Sequence, residues 1–174
     1  MQRIEPFQYI SELKEHDGKS VELRGWVSNS RESKGLVFLI LRDGTGFAQC
    51  VVNEEAVSPE EFEAARRLGL ESSVILTGNV HKDERQIGGY EVQATGVKVI
   101  QEAQDYPIAK KEHGVDFLID KRHLWLRSRK QWAILRVRNR VIYAIHNFFQ
   151  ENGFLQMDSP IFTGNAVEGT TTLF

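Results

Sequence analysis

The sequence predicts a five-stranded all-β barrel over roughly its first hundred residues, followed by the start of an α+β domain. Three observations lead to this prediction. Three segments with alternating apolar and polar residues come first, then one short helix, and then two more alternating segments. Glycines interrupt the last two segments, as they do where barrel strands bend. A long amphipathic helical stripe begins only afterwards, near residue 131.

Strand alternation assigns an inward and an outward face to each of the first three strands. These strands span residues 21–31, 36–42 and 47–53. The inward phase is apolar and contains Val21, Leu23, Val27, Val37, Leu39, Leu41, Ala48, Cys50 and Val52. Arg42 and Gln49 take the opposite phase, which must face solvent because neither tolerates burial without a partner. Phe38 and Val51 share this outward face.

An outward Phe38 beside an arginine and a glutamine is typical of a surface that binds an unpaired base. The ring can stack on the base, and the amide can read its edge. The alternative is that a loop or a partner domain covers Phe38 and Ile40, since exposed apolar residues are common. Alternation alone does not decide between the two.

A short helix is predicted between the third and fourth strands. Ser58 is a suitable N-cap, Pro59 fits the first helical position, and Glu61 completes a capping box. Gly69 ends the helix after about Leu68.

Two further strands complete the barrel, at residues 73–81 and 90–100, with Gly78 and Gly96 at bends or bulges. Three strands, a helix and two strands are the order of a Greek-key barrel of the oligonucleotide-binding type, or OB-fold. The domain is expected at residues 1–104. Such barrels also serve purely structural roles.

The second domain is expected to begin at residue 131, after a hinge at residues 105–130. Apolar residues recur at helical spacing between residues 131 and 152, and Gly153 supplies the stop. One helix and short extended segments cannot enclose a core, so we expect the chain to be part of a longer protein.

Composition excludes several classes of protein. The sequence has 174 residues, a net charge of −2 and one cysteine, Cys50, so it cannot form an internal disulfide. No signal peptide or membrane-length apolar run is present, which predicts a cytoplasmic protein without a membrane partner. The five histidines have no zinc-like spacing, so no metal is expected. The basic stretch at residues 121–140 suits either phosphate contacts or a solvated helix face.

Several motifs, in order, resemble one family along the whole chain. They are Gly25-Trp26-Val27, Arg31, Phe38-x-x-Leu41-Arg42-Asp43 with Gln49 and Val51, Arg122-His123-Leu124-Trp125-Leu126-Arg127, Gly153-Phe154, Pro160, and Val167-Glu168-Gly169-Thr170-Thr171-Thr172-Leu173-Phe174. The chain resembles the amino-terminal part of the class II aminoacyl-tRNA synthetases of the aspartate, asparagine and lysine subgroup. Its motifs are most similar to those of the asparaginyl enzymes.

The resemblance implies that the barrel binds the anticodon loop of tRNA(Asn). It implies that Phe38 stacks on the central uridine, that Gln49 bonds this base, and that Arg31 and Arg42 also belong to the anticodon site. That site lies on the face that the alternation of apolar and polar residues predicts to point outward.

The resemblance also implies a role for the rest of the chain. The helix ending at Gly153 would be the first signature motif, leading into the antiparallel sheet of the catalytic domain. It would form a homodimer interface containing Ile134, Val141, Ile145 and Pro160. Glu168 would receive the α-ammonium of the amino acid. ATP and magnesium would serve the full-length enzyme, with none bound to this fragment and no catalytic residue within it.

The implied function is asparagine–tRNA ligase, with this fragment supplying anticodon recognition and part of the dimer contact. One alternative is an aspartyl enzyme, including one that accepts both tRNAs. Another is a non-catalytic OB-fold nucleic-acid-binding module. A third is a structural dimerisation fragment whose barrel face is covered.

Overall fold

The computed structural model describes residues 7–109 and 111–160. The chain divides into two compact units, Met1–Ala109 and Lys110–Phe174. This division falls inside the segment expected to be a hinge.

The first unit contains a closed five-stranded barrel, as predicted. Its strands are β1 (Ser20–Ser33), β2 (Leu36–Arg42), β3 (Phe47–Asn53), β4 (Ser73–Lys82) and β5 (Tyr90–Gln101). They follow the order β1-β2-β3-β5-β4 around the barrel. The β3–β5 pairing is parallel, whereas the other four pairings are antiparallel. A 3₁₀ helix, Ile10–His16, precedes β1, and a second one, Ile87–Gly89, lies between β4 and β5.

The predicted inward residues of β1, β2 and β3 form the barrel core. Leu23, Leu39 and Val52 are at most 1% exposed. The prediction for Val51 is wrong in part, because this outward residue is only 5% exposed. Val51 does not belong to the apolar cluster inside the barrel, so its burial arises on the outer face.

The hairpin between β1 and β2 uses a two-residue turn. Lys34 and Gly35 both have positive φ, at 47° and 76°. Positive φ at both positions is the requirement of the type I′ turn, whose twist matches that of the flanking strands. The turn sets the register in which Arg31 lies opposite Phe38.

The predicted capping box at the start of helix α1 (Pro59–Arg67) is confirmed. Glu61 N–H donates to Ser58 Oγ at 3.2 Å, and Ser58 N–H donates to Glu61 Oε2 at 3.0 Å. The other carboxylate oxygen of Glu61 accepts a bond from Val97 N–H in β5 at 3.0 Å. These donors lower the pKa of Glu61. Glu61 therefore ties the helix cap to the barrel wall.

Asp43, in the loop between β2 and β3, ties the amino-terminal 3₁₀ helix to the barrel. Its Oδ2 accepts a hydrogen bond from Ile10 N–H at 2.7 Å. Its Oδ1 accepts bonds from the backbone N–H groups of Thr45 and Gly46 at 2.8 and 3.1 Å. One carboxylate thus satisfies backbone donors of two segments.

The described part of the second unit is helical. It contains α2 (Val115–Asp120), a 3₁₀ helix at Trp125–Arg127 and α3 (Arg129–Glu151). Residues 154–160 belong to no helix or strand. The sheet expected in this domain therefore stays a prediction. None of the described helices is long and apolar enough to cross a membrane.

Helix α3 ends at the predicted glycine. Gly153 has a φ of 84°, and its N–H donates to Gln150 O at 3.0 Å. Phe154 N–H donates to Phe149 O at 3.0 Å, and the two rings meet edge to face at 5.4 Å. These bonds and this contact define a Schellman motif.

Candidate nucleic-acid interface

Strand pairing brings four outward side chains into one row across the barrel surface. Arg31 of β1 lies opposite Phe38 of β2, Phe38 opposite Val51 of β3, and Val51 beside Gln93 of β5. Phe38 is half-buried and Arg31 is exposed. The row therefore presents an aromatic ring between a cation and an amide.

A second row runs beside the first. It contains Asn29, Ile40, Gln49 and Glu91, which are register partners on the same four strands. Gln49 is the diagonal neighbour of Phe38, at a spacing that a long side chain can bridge. A flat ligand stacked on Phe38 would thus present its edge to the Gln49 amide.

Glu91 holds two amides on this face. Gln49 Nε2 donates to Glu91 Oε2 at 3.2 Å, and Gln93 Nε2 donates to Glu91 Oε1 at 2.6 Å. Because a carboxylate only accepts hydrogen bonds, it fixes which end of each amide faces it. The NH₂ group of Gln49 is therefore directed to Glu91, and its carbonyl oxygen is left to accept from a ligand. No described residue donates to that oxygen.

Arg31 interacts with Phe38 through the face of the ring. The guanidinium carbon lies 4.7 Å from the ring centroid, within the range of a cation–π contact. Arg31 forms no ion pair with any residue in the described part of the chain. Its charge is therefore available to an anionic ligand.

The fourth predicted contact residue, Arg42, lies apart from these two rows. It follows Phe38 by four positions on β2, which corresponds to about 13 Å along a strand. Its guanidinium bonds Glu71 Oε2 at 2.7 Å and covers the ring of Trp26 at 5.3 Å. The Arg42 side chain is 14% exposed. Its predicted role in binding stays a prediction.

Glu91 and Gln93 also lie on this face, although neither was predicted from the sequence as a site residue. Both lie in β5, and their proximity to Gln49 and Val51 depends on the parallel β3–β5 pairing. Alternation within β5 could have marked them as outward polar residues, but it contains no information about the neighbouring strand.

The thiol of Cys50 takes no part in this face. Cys50 is fully buried in the barrel, and burial, with a smaller effect of the Glu91 carboxylate, raises its pKa well above the usual range. A buried thiol of raised pKa is a poor nucleophile. Cys50 therefore serves as a core residue.

Three of the four residues predicted for a dimer interface lie exposed along α3. Ile134, Val141 and Ile145 are 48%, 51% and 49% exposed. Pro160 is also exposed. A shallow open depression of about 380 Å³ along the helix is lined by Arg136, Val137, Arg140, Val141 and Ala144. Glu168, predicted to bind an amino acid, lies outside the described residues.

The described residues contain no cluster of metal ligands for magnesium. Over residues 7–109 and 111–160, no group of three acidic, histidine or cysteine side chains could hold a metal ion. The depressions on α3 are open and have no carboxylate lining.

Two family models match consecutive parts of the chain. Residues 21–100 match an OB-fold nucleic acid binding domain, and residues 114–174 match tRNA synthetases class II (D, K and N). The chain belongs to the class II tRNA synthetases of this group. The match to the second model also includes the expected start of the catalytic domain.

Two relatives similar to the chain are asparagine–tRNA ligases. The chain is 53% identical over 165 residues to asparagine–tRNA ligase of Symbiobacterium thermophilum, a match that covers 95% of this chain and 38% of the relative. It is 49% identical over 172 residues to asparagine–tRNA ligase of Koribacter versatilis, covering 97% and 39%. The chain thus spans well under half the length of the curated relatives it matches.

A solved synthetase structure has the same fold. It is asparaginyl-tRNA synthetase from Pyrococcus horikoshii complexed with asparaginyl-adenylate, with a TM-score of 0.84 and 40% sequence identity. The match covers 99% of this chain and 40% of that chain.

Proposed function

We propose that this chain is the anticodon-binding part of an asparagine–tRNA ligase, which activates asparagine with ATP and transfers it to tRNA(Asn). The observation that carries the proposal is the outward face where Phe38, Gln49 and Glu91 lie together. Asparagine–tRNA ligases about half identical to the chain support the choice of amino acid.

Phe38 is proposed to stack on the central uridine of the anticodon. A half-buried ring held between strands is a rigid platform, and the loop nucleotides of tRNA offer unpaired bases. Base stacking on such a ring contributes about 1–3 kcal/mol and tolerates any base. Stacking therefore provides affinity, and selection must come from the base edge.

Gln49 is proposed to read the edge of that base. Uracil offers an N3–H donor flanked by carbonyl acceptors, which matches the free carbonyl oxygen and the second N–H of the Gln49 amide. Cytosine offers an acceptor at N3 and a donor at N4, and it would require the amide to turn over. The Glu91 carboxylate opposes this turn because it needs the NH₂ group on its own side.

The remaining activities belong to the complete enzyme. We propose that asparagine, ATP and magnesium bind beyond the described residues, in a catalytic domain that the chain only begins. The exposed apolar side of α3 is proposed to form the homodimer contact through Ile134, Val141, Ile145 and Pro160. The enzyme is expected to act in the cytoplasm. Glu168 is proposed to contact the bound amino acid. This chain alone should bind the anticodon loop without catalysing amino-acid-dependent pyrophosphate exchange.

Titration with anticodon stem-loops tests the proposal. Loops carrying GUU, GUC and UUU, and a GUU loop whose central U is replaced by C, are compared at one fixed salt concentration, because phosphate contacts dominate the raw affinity. The proposal predicts tightest binding of GUU and marked loss when the central U is replaced by C. Equal binding of all loops would mean that this face does not read an anticodon. A preference for GUC would identify an aspartyl enzyme instead.

A further inference from the structure

A third row of side chains, beyond the two already described, lies on the outward face of the barrel. Trp26 of β1 lies opposite Arg42 of β2, and Arg42 lies opposite Phe47 of β3. Trp26 is 41% exposed and Phe47 is 37% exposed. The row therefore presents two exposed aromatic rings with an arginine between them.

The Trp26 ring has a fixed support on one side. The Arg42 guanidinium lies 5.3 Å from the ring centroid, and it bonds the Glu71 carboxylate at 2.7 Å. Both partners of this ion pair are 14% exposed. Because a largely buried ion pair is costly to break, Arg42 stays against the indole. The part of the ring that Arg42 leaves uncovered is thus held in place for a ligand.

The backbone of Glu71 is strained in order to provide this support. Glu71 has a φ of 65°, in the left-handed region that favours glycine. Its N–H donates to the backbone oxygen of Val27, next to Trp26, at 2.7 Å. A glycine would relieve the strain, but it would offer no carboxylate to Arg42. Strain of this kind is concentrated at ligand sites.

We propose that Trp26 is a second stacking platform, which binds an RNA loop base immediately before or after the anticodon triplet. This inference rests on the function proposed above. The rows of Phe38 and Trp26 are about 13 Å apart along β2, whereas stacked neighbours in one strand are about 3.4 Å apart. With the central base on Phe38, the other two triplet bases lie too close to it to reach Trp26. A base that flanks the triplet can reach it.

The chemistry of this row provides affinity without base selection. Stacking on an aromatic ring tolerates any base. Arg42 is already bonded to Glu71, and Phe47 has no hydrogen-bonding group in its side chain. Trp26 should therefore strengthen binding whichever base flanks the triplet, while Gln49 selects the central base.

A cycle of changes in the protein and the RNA tests the inference. Wild type and Trp26→Leu are titrated at one salt concentration with the GUU stem-loop. They are also titrated with loops that lack one base each, within the triplet or on either side of it. Trp26→Leu should weaken binding of the complete loop by about 5- to 150-fold. It should have almost no effect with one loop that lacks a flanking base, and its full effect when a triplet base is missing.

Trp132 provides the matched control. It is also a half-exposed tryptophan with an arginine over its ring, at 4.7 Å, but it lies on α3 and outside the barrel. Trp132→Leu should leave the affinity of every loop unchanged. Trp26→Phe keeps a smaller ring and should retain part of the effect of the flanking base. Circular dichroism of each variant separates a loss of stacking from a loss of fold.

Glu71→Gly tests the support beneath the ring. Glycine suits the backbone at this position, so the barrel should keep its circular dichroism spectrum. Without the carboxylate, Arg42 is no longer held against Trp26. The flanking base should then contribute less to binding, whereas the central base should contribute as before. An unchanged contribution of the flanking base would overturn the support assigned to Glu71.

The fluorescence of Trp26 supplies an independent test. The sequence has three tryptophans, so replacing Trp125 and Trp132 with phenylalanine leaves Trp26 as the only one. The complete loop should quench its emission, and the loop that lacks the flanking base should not. Emission that saturating RNA leaves unchanged would contradict the inference.

The two proposals fail in different ways. Equal losses for Trp26→Leu with every loop, or a loss that disappears only when a triplet base is removed, would overturn this inference alone. Failure of every stem-loop to bind would instead refute the proposed function, and this inference with it.

Discussion

Gln49 Nε2 donates a 3.2 Å hydrogen bond to Glu91 Oε2, although 42 residues separate the two in sequence. They meet because β3 and β5 pair in parallel. The carboxylate fixes the direction of an amide that otherwise could turn over. We therefore propose that Glu91 acts on base selection through Gln49.

Replacing Glu91 with glutamine should relax base selection. The new side chain offers both a donor and an acceptor, so the Gln49 amide can adopt either orientation. The ratio of dissociation constants for stem-loops with a central U or a central C should fall by about tenfold, since each bidentate edge contact contributes about 1–3 kcal/mol. Glu15→Gln, an exposed site on the amino-terminal 3₁₀ helix, makes the same change of charge and should leave the ratio unaltered. A ratio that Glu91→Gln leaves intact would remove Glu91 from this role.

Gly78→Ala should destabilise the barrel. A Cβ at this position would lie 2.3 Å from the backbone oxygen of Gln93, beside the bulge in the β4–β5 pairing. Neither strand can shift without disturbing its ladder, so we expect a loss of about 1–3 kcal/mol in the free energy of unfolding. Urea denaturation followed by circular dichroism measures the loss. The neighbouring change Asn79→Ala, at an exposed position, should cost about 0.5 kcal/mol or less.

The stability contributed by Glu61 should depend on pH. Bonds from the Ser58 and Val97 N–H groups lower the pKa of Glu61 in the folded chain. A lowered folded-state pKa means that the carboxylate stabilises the fold above the ordinary glutamate pKa, and that this stabilisation is lost as pH falls through the folded value. Glu61→Gln should therefore cost about 0.5–2 kcal/mol near neutral pH and progressively less on acidification.

Unfolding at several pH values, from about 7 to about 3, measures this dependence. Glu60→Gln is the matched control, because Glu60 occupies the same first turn of α1 but is exposed. A cost for Glu61→Gln that stays constant over the whole pH range would contradict the predicted linkage.

Val141→Asp should weaken self-association of the chain. Val141 lies in the exposed apolar stripe of α3 with Ile134 and Ile145, and a buried unpaired carboxylate is costly at an interface. Sedimentation equilibrium should show a dimer for the wild type and at least roughly tenfold weaker association for the variant. Asn139→Asp places the same side chain on the opposite side of the helix. Equal effects of both changes would argue against the proposed stripe.

Much of the barrel could be predicted from the sequence because each strand has one apolar face. The bounds of β2 and β3 coincide with the predicted ones, and β4 and β5 end within one residue of theirs. The residue types at the helix ends also predicted the α1 capping box and the end of α3 at Gly153. These features depend on residues a few positions apart, where spacing determines the structure.

The candidate site could be predicted only in part, since it combines strands that are distant in sequence. Alternation pointed Phe38 and Gln49 outward, but it could not identify Glu91 as their neighbour or show that Val51 is covered. Nor could it show that Glu71, from the segment before β4, would bind Arg42. The side chains that share a face of a strand can be predicted from its two-residue period. The side chains that are neighbours across the sheet depend on the order of the strands.

The most direct test of the account combines two changes, Phe38→Ala in the protein and removal of the central base from the RNA. Wild type and variant are titrated, at one salt concentration, with the GUU stem-loop and with a loop that lacks the central base but keeps its phosphate and sugar. If the base stacks on Phe38, the substitution should cost about 1–3 kcal/mol with the complete loop and almost nothing with the abasic one. An equal cost with both loops, or no cost with either, would contradict the proposed anticodon interface.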